Sequence, residues 1–130
     1  MLNDLKKINT EKFEVTLIEK GIIENVLMPS VIIDEKDVLE LKEHNFQIAA
    51  GEPYALLVIP GHLTTITKEA KELLAQKDFV HITFAKALLI KSAGHKLVGN
   101  FYLKINKPHT NTKIFSDRLK ALIWLRSFIK

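Results

Sequence analysis

A chain of 130 residues, 47% apolar and 26% charged with a net charge of +4, has the make-up of a soluble globular domain long enough to bury one core. Zero cysteines exclude disulfides, thiolate metal sites and cysteine nucleophiles. No apolar run approaches the ~20 residues of a membrane span, no signal-like core follows the first charges, and the basic residues read as interspersed with acids, so the expectation is a cytoplasmic protein that does not bind nucleic acid.

Residues 1–11 are weakly patterned and support no more than a short tail or first turn. Phe13 to Glu19 alternates apolar and polar residues, and Ile22 to Met28 follows across Lys20-Gly21, which predicts a β-hairpin with Gly21 at positive φ. Its alternation suits an antiparallel edge on a parallel sheet. Asp34 or Asp37 can cap a helix that runs to about Ala49, with Gly51 as its stop. Tyr54-Ala-Leu-Leu-Val-Ile-Pro60 is a short continuous apolar run, the mark of a central strand buried on both faces. Thr67 is placed to cap a helix over residues 68–76. Residues 78–84 fit either a strand or further helix. A strand over 85–91 leads to Ser92 as the cap of a helix over about 93–106, with Leu97, Val98, Phe101, Tyr102 and Ile105 as its buried side and Pro108 beyond its end. Gly94 and Gly99 within it suggest close backbone packing. A strand over 112–115 precedes Ser116-Asp117, the cap of a last helix whose apolar face is Leu122, Trp124, Leu125, Phe128 and Ile129. This alternation predicts one α/β domain with a small mixed, mainly parallel sheet, an N-terminal hairpin and helices on both faces.

The opening hairpin and helix, Ile66-Thr-Lys-Glu-Ala70 after the central strand, Ile114-Phe-Ser-Asp117 and Ala121-Leu-Ile-Trp-Leu125 together resemble the SpoIIAA-like group. That group shares its fold with STAS domains, the anti-sigma-factor antagonists and the cytoplasmic domains of sulphate transporters, and includes many small bacterial proteins of unknown role. The likeness covers most of residues 13–129. Ala87-Leu-Leu-Ile-Lys-Ser92 and Gly99-Asn-Phe-Tyr-Leu-Lys-Ile-Asn-Lys-Pro108 are similar to a bacterial subgroup with no assigned activity. In the antagonists, the resemblance implies, the loop after the central strand carries an Asp-Ser pair whose phosphorylation switches partner binding. Here that loop reads Pro60-Gly-His-Leu-Thr-Thr-Ile-Thr67 and has neither residue. Gly61, Thr64, Thr65 and Thr67 are its candidate phospho-acceptor or anion-binding positions, since phosphate near a helix start is favoured by the dipole and open amides. For Thr67 the plainer reading is a helix cap.

The loops after the parallel strands should meet at one sheet edge, which brings in Lys91, Ser92 and His95 as a second candidate loop. Ser92, His95 and Asp117, with His62 nearby, can be drawn as a hydrolytic set, but there is no Gly-x-Ser-x-Gly elbow and both Ser92 and Ser116 stand where caps belong. The five histidines show no metal-ligand spacing, and neither a Gly-x-Gly-x-x-Gly nor a Walker loop is present. Leu97, Phe101, Tyr102 and Trp124 form a candidate apolar pocket between the third and last helices, set against ordinary core packing.

The reading favours a non-enzymatic regulatory or protein-interaction module without cofactor or metal, which binds a protein partner or its own copy as a homodimer. Its alternative is a carrier holding a small apolar or anionic ligand between helix and sheet, and a hydrolase comes a distant third.

Overall fold

A computed structural model of the protein describes residues 6–76 and 83–129. In chain order its elements are β1 (Lys7–Asn9), β2 (Phe13–Glu19), β3 (Ile22–Leu27), β4 (Ile32–Ile33), α1 (Glu35–Ala49), β5 (Tyr54–Ile59), β6 (Thr65–Ile66), α2 (Lys68–Ala75), β7 (Thr83–Leu89), α3 (Ala93–Phe101), β8 (Asn111–Phe115) and α4 (Arg118–Arg126). A π-helical turn, Tyr102–Asn106, extends α3.

Six strands form one sheet in the order β1-β2-β3-β5-β7-β8. β1, β2 and β3 pair antiparallel, and β3, β5, β7 and β8 pair parallel. β5 therefore has a parallel neighbour on each side, which is why its sequence is apolar throughout rather than alternating. Gly21 turns the hairpin at φ 82°. The parallel strands are added in one direction, so right-handed crossovers set α1, α2 and α3 on the same face. α4 follows the last strand and covers the other face.

Each face has its own core. Phe13, Val15, Ile23, Leu27 and Leu56 meet Val38, Leu41 and Ile48 of α1 and Ala70 of α2. Ala55, Leu57, Ala85, Ala87 and Leu89 meet Ala121 and Leu125 of α4. The small residues of β7 let α4 approach closely. Helix starts follow the caps in the sequence: Asp34 and Asp37 form a reciprocal capping box on α1, Thr67 Oγ1 accepts from the Ala70 amide, and Asp117 accepts from the Lys120 amide. At the other end of α2, Lys42 and the buried Lys86 donate to the carbonyls of Leu73 and Leu74, which suits the negative pole of the helix.

Three expectations need correction. The first eleven residues are not only a tail, because Lys7, Ile8 and Asn9 pair with Thr16, Val15 and Glu14 and make β1 the sheet edge outside the hairpin. A second small sheet, β4 paired parallel with β6, lies between β3 and α1 and between β5 and α2 in sequence. The third helix does not run regularly over 93–106, and of the five residues expected on its buried side only Tyr102 is buried. Leu97, Val98, Phe101 and Ile105 are 44 to 69% exposed, and the side turned to the sheet is that of Gly99 and Tyr102. A Cβ at Gly99 would stand 3.0 Å from Ile114 Cδ1 and 3.2 Å from Ile90 Cδ1, so the glycine permits the close seat. At Gly94 nothing lies within 4 Å. Residues 78–82 of the undecided stretch lie outside the described residues, while Thr83 and Phe84 belong to β7.

Candidate functional site at the carboxyl edge of the sheet

The carboxyl ends of β3, β5, β7 and β8 share one edge because the four strands are parallel. The loop leaving β5 lies directly on the chain leaving β3. Ser30 N donates to His62 O at 2.8 Å, Thr65 N to Val31 O at 3.0 Å, and Thr67 N to Ile33 O at 3.0 Å. Thr64 is buried and its hydroxyl donates to Met28 O at 2.6 Å. Gly61 is the point of closest approach: a Cβ there would stand 2.6 Å from Leu27 O and 2.7 Å from Pro29 N. Of the three candidate threonines, Thr65 is the exposed one, Thr64 clamps the loop and Thr67 caps α2.

The second loop joins the first. His95 Nε2 lies 3.0 Å from Thr64 O. A carbonyl only accepts, so Nε2 carries a proton and donates it to Thr64 O. Ser92 Oγ accepts from the His95 amide at 3.1 Å, which is its N-cap bond. Lys91 and Ser92 are exposed beside it. The structure thus brings Gly61 to Thr67 and Lys91 to His95 together, as the topology requires.

Asp117 is not part of this group. Its carboxylate caps α4 on the opposite face, and no chain from Ser92 through His95 to an acid is formed, because His95 is directed to the Thr64 carbonyl. The apolar pocket expected from Leu97, Phe101, Tyr102 and Trp124 is not formed either. Gly99 of α3 packs on Ile114, whereas the Trp124 ring lies 5.5 Å from that of Phe115 at a tilt of 47°, and consecutive strand residues point to opposite faces. The sheet therefore stands between Trp124 and the rest of that set. Among the described residues no group of three or more histidine or acidic side chains is placed to hold a metal ion, and no helix is long and apolar enough to cross a membrane.

A family model for a domain of unknown function, DUF7793, matches residues 16–129. The chain belongs to the DUF7793 family. No curated protein matches the sequence. Among solved structures, an uncharacterized protein from the DUF3478 family with a SpoIIAA-like fold, from Shewanella loihica PV-4, is similar with a TM-score of 0.52 and 13% identity, over 93% of this chain and 91% of that one. The SpoIIAA-like fold implied by the residue resemblance is thereby shown for this DUF7793 chain, as a fold and not as an activity.

Two features of this edge escape a residue-by-residue reading. The exposed α3 stripe was written in the sequence as an apolar face, but periodicity does not say whether protein covers that face. The charge is also less evenly spread than a net +4 suggests. Residues 79–116 contain six lysines (86, 91, 96, 104, 107 and 113) and no aspartate or glutamate, while the remainder, with 13 basic and 15 acidic residues, sums to −2. α3 lies in the middle of that acid-free segment.

Proposed function

We propose that this DUF7793 chain is a single-domain, non-enzymatic regulatory module that works in the cytoplasm by contacting a protein through α3 and the adjoining 60–67 loop. The observation that carries the reading is the exposed row Leu97, Val98, Phe101 and Ile105. Burying one such side chain is worth roughly 1.5–3 kcal/mol, and contiguous exposed apolar surface on a folded domain marks a contact site. The bond between His95 and Thr64 holds this helix against the loop, so the two present one surface. A carrier needs a concave, mostly enclosed site, and the apolar residues that would line one are divided by the sheet. A hydrolase needs a nucleophile and base in hydrogen-bond reach, and here Ser92 and Asp117 serve as helix caps.

A photo-crosslinking amino acid placed at Phe101, in the cells that make the protein, tests the reading. The expected result is an adduct with a polypeptide of discrete mass, lost when Leu97→Asp is added and retained with Leu119→Asp on α4. Absence of any protein adduct, together with a small molecule retained by the purified chain in native mass spectrometry, would overturn it in favour of a carrier.

A further inference from the structure

Resting on that reading, the identity of the partner can be argued from a second exposed surface on the same side of the sheet. α1 carries Glu35, Leu39, Glu43 and Phe46 at spacings of four, four and three residues, which places them in one row. All four are exposed, with Leu39 at 57% and Phe46 at 43%. Exposed Glu40 adds a third acid, Lys36 is the single exposed base of the helix, and its last turn has no basic residue. α1 therefore presents two large apolar side chains among acids. α3 presents four among lysines, with Lys91, Lys96, Lys104 and Lys107 exposed around the row.

We propose that the α3 face docks on α1 of a second copy of this chain, and α1 of the first copy on α3 of the second, which closes a two-fold dimer through the helix layer. The two rows match in chemistry, apolar on apolar, and oppose in charge. α1 lies over β2 and β3, α3 lies over β8, and α2 separates them, so the two rows flank α2 on one face. The three helices are crossovers between parallel strands and run in the same direction. A two-fold axis along α2 then exchanges the α1 and α3 sides and sets acid on base twice. An axis across α2 would set α1 on α1 and α3 on α3, like charge on like, which association disfavours. The reciprocal pairing is an isologous contact and needs no third copy to close.

Sedimentation of the purified full chain, followed by charge exchange, tests this. The wild type is expected to be a dimer. Reversing the α3 side with Lys96→Glu and Lys104→Glu, or the α1 side with Glu40→Lys and Glu43→Lys, is expected to weaken self-association by at least about tenfold. An equimolar mixture of the two reversed variants, each checked for wild-type circular dichroism, is expected to restore the dimer, because each reversed row then meets its reversed complement. A dimer that both reversals leave intact, or one that the mixture does not restore, overturns the α1-to-α3 pairing. A wild-type monomer that still yields the Phe101 adduct with a different protein overturns the second copy and leaves the interaction reading standing. A monomer without any protein adduct overturns both.

Discussion

At Gly61 the chain has no room for a side chain, and the neighbours that exclude one are backbone atoms. Leu27 O, Pro29 N and Met28 C would lie 2.6, 2.7 and 2.8 Å from a Cβ, and none can rotate away. Gly61→Ala must therefore push the 60–64 loop off the chain leaving β3, and with it the Thr64 bond to Met28 O and the His62 bond to Ser30 N. The expected cost is about 3 kcal/mol in equilibrium urea unfolding, the upper end for overpacking. Gly94 is the opposite case, a helical glycine with open space around its Cα. Gly94→Ala is expected to raise stability by about 0.5–1 kcal/mol, because alanine loses less backbone entropy on entering a helix. Equal effects at the two positions would show that steric room does not separate them. In the sequence the two glycines look alike, each a small residue near a helix start, and only the second chain lying on Gly61 tells them apart.

Between elements, the join of β3 to α1 contains a polar contact inside an apolar core. Asn25 and Asn45 are both buried and exchange two hydrogen bonds, Nδ2 to Oδ1 at 2.8 Å and at 3.1 Å. Each amide answers the other, so neither is left dry. Asn25→Leu strands the amide of Asn45 and is expected to cost about 2–3 kcal/mol, while Asn25→Leu with Asn45→Leu should cost clearly less than the sum of the singles. Strict additivity in a double-mutant cycle would mean that the pair is not a unit. This scale also shows which parts of the fold could be read in advance. β5 was legible because two-sided burial removes alternation, and α1, α2 and α4 were legible because Asp34, Thr67 and Asp117 stand at their starts. β1, β4 and β6 were not, since two or three residues carry no period and exist only through their pairing. α3 was legible as amphipathic but turned the wrong way, because Gly99 rather than the larger apolar row sits on Ile114. Of the candidate site, the meeting of the two loops followed from parallel topology, whereas the bond from His95 to Thr64 and the clamping role of Thr64 depend on side-chain placement that no spacing encodes.

Across the whole molecule, the last helix is fastened to the first hairpin. Arg126 Nε and the Arg126 terminal nitrogen each donate to the Glu19 carboxylate at 2.9 Å across 107 residues of sequence, and Arg118 lies 2.6 Å from Glu24 at the other end of α4. These pairs close the second core, since α4 covers β5 and β7 between the two anchors. The hydrogen bonds from Arg126 hold the Glu19 carboxyl below its ordinary value of 4.5, with burial opposing and the guanidinium charge adding to the effect. A carboxyl depressed in the folded state contributes its stability above the unfolded value and loses it as pH falls through the lower folded value. The Glu19 side chain is 36% exposed, so solvent screens the pair and the contribution is small. Arg126→Gln is accordingly expected to lower the melting temperature at neutral pH by no more than a few degrees, with the gap narrowing in high salt and closing as pH falls below 4.5 and through the lowered value of Glu19. A gap that does not narrow as the solution is acidified through the carboxylate range would mean that Arg126 acts through the packing of its aliphatic stem on the hairpin and not through its charge.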